Sequence, residues 1–523
     1  MNINRDDTMM AVQEFFGRFV TSVENLRPLS YTPPNVGFFC IAAATLIALL
    51  LRSLLRKRDF ATFDEHVGSP PSMESQIRAG FKKFKQPFMI KMNIGPMLML
   101  QTEHIDEIKN TQAFSFADFF GRIFFSSYPG FEAFGRFVED NVFSNVVRVK
   151  LTQALAMFTE DLSQETAFSL PAVFPQSGEW TESNLYPDCL ALVTRLSSLV
   201  FVGREFDRLD DWHRVSNLYG YHSTEAARTL RQWHPLLRPI VHWFLPETTF
   251  IRKLLKEARE IIEPEVEKRK IDRRKRLAEG KQPRKSLDTV DWFVECAEGR
   301  PFDITVGELT LAGVAIHTTT FTLVNVLLDI CTQPDVIEPL RKEIKDVLAE
   351  DGGLRRQSLH KLKLMDSLLK ESQRVNSISS VGMGRMTTDL VKLHNGKKIQ
   401  KGTLVGVAPL PMYDPVIFDH PEQFDAFRFA TKRQKAGQEN KWQFTTTSPE
   451  HIGFGHGLHA CPGRFFAGNE LKIALVHLLL KYDWKLPAGE TRPGLVDPPG
   501  EFFRVLGGQP RLLFKSVATD VNF

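Results

Sequence analysis

The sequence predicts a mainly α-helical fold with a smaller β portion, preceded by a single N-terminal transmembrane helix. Three observations predict it. From about Leu151 to Cys331 apolar residues recur at helical spacing. Beyond Val381, short strand patterns broken by Gly and Pro take over, as in Lys398-Ile-Gln-Lys-Gly402-Thr-Leu-Val405. From Val36 to Leu51 no residue is charged.

That uncharged run is the first element. As a helix it spans about 24 Å, and continuation to Leu55, with Arg52 snorkelling, makes it long enough for a bilayer. Arg52, Arg56, Lys57 and Arg58 crowd its C-terminal flank. This bias places everything after residue 58 in the cytosol. A cleaved signal peptide fits poorly, because the run starts late and basic residues follow it. The expected organisation is an N-terminal arm (1–35), an anchor (36–55), a basic and proline-containing hinge (56–79) ending after Gly68-Ser-Pro-Pro71, and one catalytic domain (80–523).

Within that domain, Phe88–Met92 and Met97–Leu100 flank Asn93-Ile-Gly95 and read as a hairpin. Phe114, Phe116, Phe119, Phe120, Phe124, Phe125, Phe131 and Phe134 crowd the next segment, in a chain of 42 phenylalanines and seven tyrosines. Thr305 and Glu308 have capping-box spacing, so a long helix is expected from Val306 to about Cys331, before Gln333-Pro334. Inside it lies Val314-Ala315-Ile316-His317-Thr318-Thr319. A further helix, Met365 to Val375, carries Glu371 and Arg374 three apart on one face.

Near the C-terminus the chain reads Phe454-Gly455-His456-Gly457-Leu458-His459-Ala460-Cys461-Pro462-Gly463, followed by a helical pattern to about Tyr482. Glycines let a backbone pass close under a flat macrocycle, where a Cβ would collide. Pro462 suits the first helical position. Cys461 then sits at the positive end of a helix, which favours a thiolate. One thiolate in such a loop suits axial ligation of a haem iron, with His459 able to turn toward a propionate. A buried cysteine in a tight turn is the blander alternative.

These residues resemble the cytochrome P450 superfamily of haem-thiolate monooxygenases. The motif Phe-x-x-Gly-x-[Arg/His]-x-Cys-x-Gly matches at Phe454, Gly457, His459, Cys461 and Gly463. The resemblance covers about residues 80 to 515 and implies that family's fold, with the long central helix over the haem. It implies haem b held by Cys461, with Phe454, Gly455 and His459 beside it. It implies Arg385 at a propionate, and offers Arg148 for the arginine of an early Trp-x-x-x-Arg motif, although Ser144 stands at the tryptophan place. Glu371 and Arg374 would join Arg428 in a structural network. Thr318 falls at the threonine that handles protons for dioxygen cleavage. His317 stands where the family carries an acid; it could relay protons or turn away to a backbone carbonyl.

The resemblance further implies hydroxylation, in one or successive oxidations, with dioxygen and electrons from NADPH. The electrons would come through NADPH–cytochrome P450 reductase, with cytochrome b5 as a second donor. Arg464, Lys472, Lys432 and Arg433 are the candidate docking residues. The local wording resembles fungal members such as ent-kaurene oxidase, so a small, apolar, terpenoid-like substrate is expected, roofed by the phenylalanine segment and bordered by Ser377 to Gly384. The implied location is the endoplasmic reticulum membrane, single-pass. A haem-thiolate isomerase or dehydratase working without dioxygen, and a non-enzymatic haem sensor, are the alternatives.

Composition excludes other classes. A net charge of +4 is mild, and the basic run from Lys268 to Lys285 lacks interleaved aromatics, so no nucleic-acid role is expected. Five scattered cysteines, at 40, 189, 296, 331 and 461, have no metal-type spacing and form no disulfide framework.

Overall fold

The computed structural model describes residues 60–519 apart from 66–71, 136–139, 205, 207 and 283–286. The expected N-terminal arm and anchor, and Gly68 to Pro71 of the hinge, lie outside the described residues. The larger compact unit begins at Phe60. Part of the hinge is therefore folded. Strand β1 (Thr62–Phe63) pairs in parallel with β2 (Phe88–Met92). Helix α1 (Met73–Phe84) follows, because Ser72 caps it by accepting from the Ser75 N–H, and it buries Met73, Ile77 and Phe81.

The expected hairpin forms between β2 and β3 (Gly95–Leu100), antiparallel, with Met92 facing Gly95. A six-stranded sheet then assembles from distant segments: β4 (Phe114–Ser115), β6 (Gly382–Thr387) and β7 (Leu404–Val407) join in the order β1-β2-β3-β7-β6-β4. A three-stranded antiparallel sheet gathers β5 (Thr181–Asn184) with β8 (Tyr482–Lys485) and β9 (Arg511–Ser516).

Helices make up the larger layer. Helix α2 (Phe116–Phe124) carries much of the phenylalanine segment. A π-helical turn, Val146–Leu151, leads into α3 (Thr152–Val173). Helices α4 (Leu185–Phe201), α5 (Asp210–Gln232), α6 (Pro246–Ala278) and α7 (Thr289–Ala297) precede the central α8 (Ile304–Thr332). Of the basic run, Lys268 to Arg276 lies on α6, where Arg269 pairs with Glu265 and Asp288.

Helix α8 is nearly buried along its whole length and packs against α4 and α5. Among the described residues it alone is long and apolar enough to cross a membrane, and most of it is enclosed by protein. Its start differs from expectation. Asp303, not Thr305, is the cap, accepting from the Val306 N–H at 3.0 Å. Thr305 is inside the helix, and Glu308 is fully buried, where Thr289 donates to its carboxylate at 2.7 Å. A carboxylate oxygen caps as well as a hydroxyl, and the buried Thr289 occupies Glu308, so the capping-box spacing was coincidental.

Helix α9 (Lys363–Val375) follows, then the C-terminal α10 (Arg464–Lys481). Its cap is Gly463, so Pro462 stands before the helix rather than at its first position.

Candidate haem site

The Cys461 loop is shaped by two left-handed glycines, Gly455 at φ +67° and Gly457 at φ +77°. At Gly457 a Cβ would stand 2.5 Å from both the Cβ and the carbonyl oxygen of Lys109. No side chain fits there. The adjacent Leu458 N–H donates to the Lys109 carbonyl at 2.9 Å and lies 3.1 Å from Asn110 Oδ1. The Cys461 N–H donates to the Phe454 carbonyl at 2.8 Å, which closes the loop. Phe454 packs edge-on against Phe444, ring centroids 5.1 Å apart.

Cys461 is half-buried. Burial pushes its thiol up, and the N–H groups of Gly463 and Arg464 pull the other way. Burial thus opposes the thiolate that the helix end favours. A thiol that coordinates a metal loses its proton outright. Among the described residues no group of three or more His, Cys, Asp or Glu could hold a metal ion. A haem iron at Cys461 would bring its other ligands with it.

Helix α10 packs against α8. In the middle of that otherwise buried helix Val314 keeps 37 % of its surface, and Thr318, one turn on, is also exposed. Val314 and Thr318 thus form an accessible stripe one turn long on a mostly buried helix. The Thr318 hydroxyl donates to the Val314 carbonyl at 2.9 Å, which leaves its oxygen free to accept. His317, the next residue round the helix, faces elsewhere. Its Nε2 lies 3.2 Å from the Asn217 carbonyl of α5.

The remaining expected residues fall into three places. Glu371 accepts from Arg374 at 2.7 and 2.8 Å and from Arg428 Nε at 2.9 Å, and the Glu371–Arg374 pair is fully buried. Arg374 also donates to the Met412 and Pro421 carbonyls. Arg385 is buried on β6, and its guanidinium lies 5.6 Å from the Phe116 ring centroid. Arg148, exposed on the π-helical turn, donates to the Leu458 carbonyl at 3.1 Å and so touches the cysteine loop. His459 is half-buried on the same loop.

Two of the expected docking cations are unavailable. Lys472 is buried, 2.6 Å from Asp366, and donates to the Leu359 carbonyl. Arg433 also pairs with Asp366, at 3.1 Å. Burial next to a carboxylate claims both charges. Arg464 turns back to the Thr445 and Cys461 carbonyls, and Lys432 donates to the Ile417 carbonyl.

The phenylalanine segment packs as a cluster. Phe116 stacks on Phe120 with centroids 5.4 Å apart, and Phe124 on Phe134 at 4.4 Å. Phe114, Phe119 and Phe131 are core residues. Sequence reasoning missed Lys109 and Asn110, which hold the cysteine loop. It also missed Glu470 on α10, fully buried and bonded to Ser197 at 2.8 Å. Nothing local to those residues marks them; their partners are far away in sequence.

A family profile described as Cytochrome P450 matches residues 66–505. The chain is 43% identical over 418 residues to the cytochrome P450 monooxygenase hepE of Aspergillus oryzae, covering 79% of this chain and 76% of that one. It is 37% identical over 482 residues to the cytochrome P450 monooxygenase calE of Penicillium decumbens, covering 88% and 92%. Its fold resembles that of retinoic acid-bound cyanobacterial CYP120A1, with a TM-score of 0.59 at 19% identity over 84% of this chain and 94% of that one.

Proposed function

The chain belongs to the cytochrome P450 family, and on that premise we propose that it hydroxylates an apolar, terpenoid-like intermediate of fungal secondary metabolism, in one or successive oxidations. It is a cytochrome P450 monooxygenase. Haem with a cysteine thiolate ligand, and electrons supplied by a reductase, come with that membership. The observation that carries the assignment to these residues is the accessible Val314–Thr318 stripe in a buried helix that packs on the helix following Cys461.

When bound, haem supplies activation of dioxygen with electrons that reach it singly. The chain's own residues do the rest. Cys461 would hold the haem iron through its sulfur, with Gly455, which has no Cβ, and Phe454 assigned beside the macrocycle. Arg385 would pair with a propionate, bidentate pairing being the strong arginine–carboxylate geometry. Arg148 and His459 are assigned to the same edge, Arg148 from its bond to the cysteine loop. The Thr318 hydroxyl would hold a water and pass protons. Phe116 and Phe120, half-buried and stacked, offer an apolar wall with few donors, which suits a hydrocarbon-like substrate.

Membrane attachment has support beyond the uncharged run at 36–51. Trp233, Leu236, Leu237, Ile240, Trp243 and Phe244 are all exposed, Leu236 and Phe244 at 80 %. Such a patch is too apolar for bulk water and suits a lipid surface. We assign the catalytic unit to the cytosolic side of the endoplasmic reticulum, served there by NADPH–cytochrome P450 reductase and cytochrome b5.

The test is the carbon monoxide difference spectrum of the reduced protein in membranes. A red-shifted Soret band, absent in Cys461→Ala, is expected. Terpenoid hydrocarbons are then screened with NADPH and reductase. Folded protein without any haem band would defeat the assignment.

A further inference from the structure

Helices α5 and α8 cross at two glycines. A Cβ at Gly220 would stand 2.8 Å from both Cδ2 and Nε2 of His317, and 3.5 Å from the Gly313 Cα. The His317 ring thus fills the space a side chain at position 220 would need. Its Nε2 meets the Asn217 carbonyl at 3.2 Å. Burial holds the imidazole below its usual range, opposed by that carbonyl, so the ring is neutral and Nε2–H is the tautomer that donates.

Asn217 reaches further. Its side-chain Oδ1 accepts from Thr194 of α4 at 3.0 Å. Two residues on, the Tyr219 hydroxyl donates to the Gly130 carbonyl at 2.8 Å, and its ring stacks on Phe134 with centroids 5.8 Å apart. Phe134 stacks in turn on Phe124 and packs at a tilt against Phe120. One stretch of α5, from Asn217 to Gly220, therefore carries the central helix at His317 and the phenylalanine cluster at Tyr219.

We propose that His317 is a positioning residue, a neutral latch that sets the register of α5 on α8 beside Thr318 and, through Tyr219 and Phe134, the place of the aromatic wall over the site. The proposal rests on the haem-site reading above. It separates His317 from proton delivery: the ring lies about 100° round the helix from Thr318 and is engaged with α5. It also makes Gly220 part of the same device, since any larger residue displaces the ring.

The test uses the full chain in membranes and two haem-binding probes read by their Soret shifts. Imidazole is small enough to bind whatever the wall does. Clotrimazole, a bulky imidazole, needs the wall in place. His317→Ala and Gly220→Ala are both expected to weaken clotrimazole about fivefold, the effect of one ordinary net hydrogen bond, and to leave imidazole unchanged. His317→Gln, whose amide can reach the same carbonyl, is expected to restore clotrimazole binding. Amides near Asn217 to Gly220 should exchange hydrogen faster in His317→Ala than in the wild type. Wild-type clotrimazole affinity in both alanine variants, or a Gln variant as weak as the Ala variant, would overturn the latch. No imidazole shift in the wild type would instead strike the haem reading, and the exchange rates would then decide the latch, unchanged exchange refuting it.

Discussion

Cys461 and Phe454 are tied backbone to backbone, the Cys461 N–H donating to the Phe454 carbonyl at 2.8 Å. The bond brings the two ends of the glycine loop together, so the sulfur's position depends on the turns between them. Those turns depend on Gly457 and its close contact with Lys109.

Gly457→Ala is therefore expected to disturb the site itself. The added Cβ meets backbone, which cannot swing aside, at a φ that strains any L residue, at a cost of about 1–3 kcal/mol. Haem content measured by the pyridine haemochrome spectrum should fall sharply. Gly494→Ala, where a Cβ meets nothing within 4 Å, should match the wild type. Equal haem content in the two variants would contradict the reading of this loop.

Thr318→Ala tests proton handling. The hydroxyl bonds its own helix, so the unfolding free energy should move by no more than about 0.5 kcal/mol. NADPH consumption should continue while product falls and hydrogen peroxide rises, by roughly tenfold or more in the ratio. Thr318→Ser should keep most of the coupling. An unchanged ratio in the alanine variant would remove Thr318 from the chemistry.

Glu371→Ala would leave the Arg374 and Arg428 guanidiniums facing each other without their shared carboxylate. Breaking a buried pair in this way costs about 3–5 kcal/mol. The variant is expected to yield little folded protein, with a urea midpoint well below that of the wild type. A wild-type midpoint would show that the backbone carbonyls around Arg374 suffice.

Glu470 gives a pH signature. Burial pushes its carboxyl up from 4.5 to about 8, against a smaller lowering by Ser197. The folded state then holds this proton where the unfolded state has released it. Its contribution to stability is present below the unfolded value and is lost as pH rises toward the folded one, by up to about 1.4 kcal/mol per unit. Urea unfolding of wild type and Glu470→Gln between pH 5 and pH 9 should show the variant gaining relative to wild type as pH rises, levelling above pH 8. A difference that stays flat would mean that Glu470 ionises freely in the fold.

Much of this chain was legible before the structure. The hairpin around Gly95, the long apolar helix, the Glu371–Arg374 helix and the glycine loop before a helix are all local patterns, written in residues a few positions apart. Their boundaries moved by a residue or two, and the cap of α8 moved to Asp303, because two good capping residues stood close together and only packing chose between them. Strand β1 was not legible, because it has two residues and becomes a strand only by pairing with β2.

What the sequence determined by itself is the chemistry on offer: one cysteine in a loop without bulk, a hydroxyl in mid-helix, and a carboxylate and guanidinium spaced to meet. What only the tertiary structure decided is where each group points and what already claims it. His317 and Thr318 are neighbours in the chain, yet one bonds to α5 and the other is left accessible. Lys472 and Arg433 carry the charge expected of a docking surface but are committed to Asp366. Helical periodicity says that a residue has a face; which element covers that face depends on contacts with residues many tens of positions away, and no local pattern encodes them.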